Sequence, residues 1–153
     1  MTIRQGQDKD FPIVFKFIYQ LVDEIDNATH RVTNSVALMK KEKKHFKFIV
    51  AEEKGKVIGV ALYFIAYLVN TGKTLYLEVL FVDNKHRSKG VGYQLMQNIF
   101  KIALREKCGR VHWTVTNTNK NAITFYKKCG AEICDNQLLC DIRGANIKKF
   151  LEN

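Results

Sequence analysis

The run Arg87-Ser88-Lys89-Gly90-Val91-Gly92 carries the clearest chemistry in this sequence. It joins an apolar, strand-like stretch, Leu75–Val82, to an amphipathic, helix-like one, Val91–Lys107. A glycine-rich turn there lets main-chain N–H groups approach a phosphate, and the positive end of the helix dipole favours the charge. A side chain at Gly90 or Gly92 would push the phosphate off the main chain. With Lys85, Arg87 and Lys89 adding positive charge, the run predicts a diphosphate-bearing ligand. Asp23, Glu24 and Asp26 form a second group. They offer complementary charge to a cation, or make an ordinary solvated helix end. Carboxylates and histidines do not gather at ligand spacing, so no metal is expected. Cys108, Cys129, Cys134 and Cys140 form no CxxC pair and read as free thiols of a reducing compartment.

These groups need elements to hold them. Thr2–Gln5 predicts a short strand. Asp8 or Asp10 can cap the helix that follows, whose apolar face is Phe11, Val14, Phe15, Ile18, Val22 and Ile25. A looser helix is expected over Asn34–Lys44. Phe46–Glu52 and Val57–Leu68 read as strands joined by a turn at Gly55, and Thr74–Val82, nearly all apolar, as a central strand. After the Val91–Lys107 helix come a strand over Arg110–Thr116 and a short helix over Asn119–Cys129. Glu132–Cys134 and Leu138–Ile142 read as a closing hairpin, and Asn146–Leu151 as a last helical turn or two. The fold class is α/β (α+β): one domain over residues 1–153, with a mixed, mostly antiparallel sheet of about seven strands flanked by about four helices.

With 153 residues, 46% of them apolar, the chain can bury one real core. No apolar run reaches bilayer length, and folded sequence begins at Met1-Thr2-Ile3-Arg4, so a cytoplasmic protein with no membrane partner is expected. The net charge of +10 is spread along the chain without a nucleic-acid signature, and no nucleic-acid partner is expected.

The strand, the Arg-x-x-Gly-x-Gly turn and the helix, in this order, resemble those of the GNAT superfamily of N-acetyltransferases. Asn119-Lys-Asn-Ala122-Ile-Thr-Phe125-Tyr126-Lys-Lys-Cys-Gly130-Ala131 is similar to that family's Asn-x-x-Ala-x-x-Phe-Tyr-x-x-x-Gly-Phe segment. Within the superfamily, Val57–Phe64, Leu75-Tyr-Leu-Glu78 and Phe125–Lys128 most resemble the spermidine/spermine and thialysine acetyltransferases. The resemblance implies acetyl-CoA as cosubstrate, acetyl transfer to a primary amine, and a homodimer whose C-terminal strands exchange contacts. One departure stands out: Val79 follows Glu78, where the polyamine enzymes carry an aspartate that helps hold their cationic substrate.

The resemblance also implies roles. Arg87, Ser88, Lys89, Gly90, Val91 and Gly92 would hold the diphosphate. Main-chain groups near Leu80, Phe81 and Val82 would meet the pantetheine arm and the oxyanion, provided a bulge frees them. Asn119, with Ala122 and Phe125 of the same segment, belongs to the cofactor set; Asn119 is a pantetheine ligand or only a helix cap. Glu24 and Asp26 would lie on the amine side. An alkylamine of pKa ~10.4 is less than about 0.1% neutral at pH 7, so a base must take its proton. Glu78, beside the cofactor turn, is the candidate base or substrate anchor, working through water or through burial. Tyr126 would be the acid that protonates the departing thiolate. Two other readings remain: a protein lysine or N-terminal acetyltransferase, and a non-catalytic regulatory domain that binds CoA.

Overall fold

In the computed structural model, which describes residues 1–26 and 29–152, the chain runs β1 (Thr2–Gln5), α1 (Phe11–Asp26), α2 (Val36–Glu42), β2 (Lys47–Glu53), β3 (Lys56–Leu68), β4 (Gly72–Val82), α3 (Val91–Arg105), β5 (Arg110–His112), α4 (Lys120–Lys128) and α5 (Gly144–Leu151). The strands form one sheet in the order β1-β2-β3-β4-β5, antiparallel up to β4 and parallel between β4 and β5. Alternation sorts the side chains onto two faces. Ile49, Ala51, Ala61 and Tyr63 pack under Leu95, Met96 and Ile99 of α3. Phe48, Val50, Val60 and Leu62 pack under Phe11, Val14 and Phe17 of α1 and Met39 of α2.

The α/β class and mixed sheet agree with the sequence reading, but the described residues hold five strands and five α-helices rather than about seven and about four. The closing hairpin is the difference. Glu132–Cys134 and Leu138–Ile142 form no strand; Leu138 and Leu139 are 93% and 83% exposed. A lone hairpin is marginal in water, and the edge strand β5 has only three residues for it to join. The strand expected over Arg110–Thr116 stops at His112, where its ladder with β4 ends at Tyr76 although β4 runs on to Val82. Among the described residues no helix is long and apolar enough to cross a membrane, and no three metal-type side chains cluster.

The first helix is not capped as expected. Asp10 is buried, and its carboxylate accepts from Gln7 N at 2.8 Å and from Arg4 Nη1 and Nη2 at 2.7 and 2.9 Å. Arg4 Nε donates to Glu52 at 2.7 Å, so one guanidinium ties β1 to β2 and to the start of α1. The hydrogen bond from Arg4 holds the Asp10 carboxyl below its usual range. The stability this contributes is present above the unfolded-state pKa of about 3.9 and is lost as pH falls through the lower folded value. Asp10→Asn should cost about 2 kcal/mol in urea unfolding at pH 7, and the gap to wild type should shrink below about pH 4. A pH-independent gap would contradict the assignment.

Candidate active site

β4 contains a bulge that the sequence does not reveal. Leu62 faces Val79 and Tyr63 faces Leu77, so Glu78 has no partner on β3. The extra residue reverses the alternation. Leu75 and Leu77 belong to the core under α3, but beyond the bulge Val79 and Phe81 belong to the core under α1. Leu80 and Val82 now pack toward α3. On its other side β4 is in ladder with β5 only over Thr74–Tyr76, so among the described residues its edge beyond Tyr76 meets no strand. Glu78 is exposed. Of the two settings expected for it, burial is not what the free chain shows.

The turn after β4 is built from left-handed backbone. Ser88 has φ +61° and Gly90 has φ +79°, and Gly90 is the N-cap of α3. Such conformations turn N–H groups toward a common anion. A Cβ on Gly90 would meet nothing within 4 Å, so this glycine is required by conformation rather than by crowding. A Cβ on Gly92 would touch Phe125 at 3.6 Å and Val82 at 3.7 Å. Gly92 thus stands where α3, the end of β4 and α4 come together. Lys89 Nζ donates to Lys85 O at 2.9 Å across the turn. Val91 is buried in the core. His86 Nδ1 lies 3.0 Å from Asp83 and Nε2 3.9 Å from Glu53, which ties the turn to the β2–β3 hairpin.

In the free chain the Arg87 side chain is held by α1 and β4. Its Nη2 donates to Glu24 of α1 at 3.1 and 2.8 Å, its Nε to Val82 O at 2.9 Å, and its guanidinium lies 5.1 Å from the Phe81 ring centroid. Asp26 ends α1, and its side chain lies outside the described residues.

On α4, Asn119 is the N-cap: Oδ1 accepts from Ala122 N at 3.1 Å. Thr116 O receives Asn119 N at 3.0 Å, while Thr116 Oγ1 is buried without a protein partner. Tyr126 is buried between Trp113 and Phe125, with ring centroids at 5.1 and 5.4 Å. Burial, followed by the nearby Cys129, pushes its phenol up to about 12. It therefore stays protonated at every working pH.

Val82, Gly92 and Phe125 thus meet at one point, uniting the strand end, the turn and the α4 segment. Glu24 joins through Arg87. No hydrogen bond, ion pair or ring contact joins Glu78 to Tyr126 among the described residues. Sequence reasoning missed Thr116, Trp113 and the Arg87–Glu24 pair. It also missed a 340 Å³ groove between α3 and α4, lined by Tyr93, Gln97, Phe100, Lys101, Lys128 and Cys129 among others.

The model of the acetyltransferase (GNAT) family matches residues 15–131. The chain is 28% identical to mouse thialysine N-epsilon-acetyltransferase over 142 residues, 85% of this chain and 83% of that protein. It is 36% identical to the Arabidopsis thaliana L-ornithine N5-acetyltransferase over 89 residues, 58% of this chain and 39% of that protein. Among solved structures, an integron cassette protein from the mobile metagenome of V. cholerae superposes with a TM-score of 0.79 and 27% identity, over 99% of this chain and 98% of that one. The matched residues include the strand, the turn and the capped helix, and the chain belongs to the GNAT family of acetyltransferases.

Proposed function

We propose that this chain transfers the acetyl group of acetyl-CoA to a primary amine of a small cationic molecule by direct attack. The observation that carries the reading is the convergence of Val82, Gly92 and Phe125. It brings the diphosphate-type turn, the unpaired edge of β4 and the helix of Tyr126 to one place. Acetyl-CoA, which would supply the activated thioester, fits what this chain offers. The turn at Ser88–Gly92 has N–H groups and open space at Gly90 for a diphosphate. The β4 edge beyond Tyr76 can pair with the amides of a pantetheine arm. The orphaned Thr116 Oγ1 wants a polar partner.

Glu78, through water, takes the proton of the amine. Main-chain N–H groups near Leu80–Val82 stabilise the oxyanion, because they are fixed before reaction. Tyr126, neutral at working pH, gives its proton to the departing sulfur. Glu24, Asp26 and Glu78 attract the cation. Val79 is buried in the α1-side core and supplies no carboxylate where the polyamine enzymes have one. That favours a thialysine- or ornithine-like acceptor over a long polyamine.

The test is thiol release from acetyl-CoA with thialysine, ornithine, lysine, putrescine and spermidine. Amine-dependent release is expected, fastest with the amino acids. Release no faster than hydrolysis with every amine would refute the reading. The reading includes a homodimer, supported by the exposed Leu138, Leu139, Phe150 and Leu151 of the C-terminal segment. Sedimentation should give twice the chain mass, and Leu138→Glu with Leu139→Glu should lower it.

A further inference from the structure

Glu24 and Arg87 belong to opposite duties, one toward the amine and one toward the diphosphate, yet they hold each other. The pair spans 63 residues of sequence, and Glu24 engages Nη2 with both of its oxygens, at 3.1 and 2.8 Å. Arg87 is steered to this place by Val82 O and the Phe81 ring, and Phe81 itself packs on Phe17 of α1 at 5.1 Å between centroids. In the free chain, then, Arg87 neutralises the carboxylate that a cationic acceptor would need. The same guanidinium stands at the start of the turn that would grip a diphosphate.

The pair is open to solvent on both sides, with side chains 44% and 36% exposed, so it is easily broken. A diphosphate carries more charge than one carboxylate and matches the guanidinium fork equally well. We infer that a bound diphosphate draws Arg87 away from Glu24, and that the released carboxylate then takes the ammonium of the acceptor. Glu24 is thus a specificity-determining residue made available by the cofactor, and Arg87 is the positioning residue that couples the two sites. Amine binding follows acetyl-CoA binding, and by linkage each strengthens the other. This inference rests on the acetyl-CoA reading above.

Calorimetry with coenzyme A, pantetheine and putrescine tests it. Coenzyme A should raise the affinity of the wild-type protein for putrescine. Glu24→Gln should tighten coenzyme A by about two- to fivefold, the worth of a surface ion pair, and leave pantetheine, which lacks the diphosphate, unchanged. It should also abolish the gain in putrescine affinity. Arg87→Gln should weaken coenzyme A and bind putrescine without it as tightly as the wild type does with it. A merely structural pair would not produce that last result. In the Arg87→Gln background, Glu24→Gln should leave coenzyme A affinity where it was. Unchanged coenzyme A affinity in Glu24→Gln, or the same tightening with Arg87 already removed, overturns the inference and leaves the acetyl-CoA reading standing. Failure of the wild-type protein to bind coenzyme A at all defeats that reading instead.

Discussion

Gly90→Val is expected to weaken coenzyme A binding by about a hundredfold while the domain stays folded. Gly90 sits at φ +79° as the N-cap of α3. A β-branched residue is strained there, at a cost of about 1–3 kcal/mol. The chain escapes the strain by leaving the left-handed region, which turns the N–H groups of the turn away from their common focus. Each lost hydrogen bond to a charged group is worth about 1.5–3 kcal/mol, enough to give the hundredfold loss. The core does not depend on Gly90, since its Cβ position faces open space. Gly92 should behave differently. Its added Cβ would make ordinary contact with Phe125 and Val82, so Gly92→Ala should bind coenzyme A nearly normally. Gly92→Val must drive methyl groups into those neighbours, part α3 from α4 and lose binding. Titration calorimetry with thermal melting as the control decides it. Unchanged affinity in Gly90→Val would mean that the turn does not hold the diphosphate.

The turn was legible because its glycines and charges are local. So was Asn119 as a cap, since its partner Ala122 is three residues away. The bulge at Glu78 was not legible. Apart from Glu78, Leu75–Val82 carries apolar or aromatic residues on both faces, so a change of phase leaves little mark in the pattern, whereas the same insertion in an amphipathic strand would show. The Arg87–Glu24 pair was invisible for another reason: its partners are far apart in sequence and nothing local to either names the other. Both residues were legible singly, and it is the packing of α1 on the sheet, Phe17 on Phe81 included, that brings them together. The C-terminal segment failed in the opposite sense. Its alternation reads as strands, but a strand is a property of a ladder, and the three-residue edge of β5 gives it little to join.

Tyr126→Phe should lower kcat by about 10²–10³-fold with little change in the KM for acetyl-CoA. The substitution removes one oxygen and keeps the ring, so the contacts with Trp113 and Phe125 persist and the fold is unaffected. What is lost is the proton for the departing thiolate, an interaction made in the transition state rather than in the bound substrate. The pH profile gives a second signature. A phenol at its ordinary pKa of about 10 would begin to ionise, and catalysis to fade, from about pH 9. Burial pushes Tyr126 up to about 12, so its acid form persists beyond that range. The acceptor amine meanwhile becomes more neutral as pH rises. In the wild type, kcat/KM should therefore climb with pH through at least pH 10, without a descending limb from this residue. The Phe variant should show the same climb at a lower level, because the rising limb belongs to the amine. Full activity in the variant would remove Tyr126 from the chemistry. A wild-type decline near pH 9 that disappears in the variant would mean that the hydroxyl, in the working complex, is far more exposed than its buried ring implies.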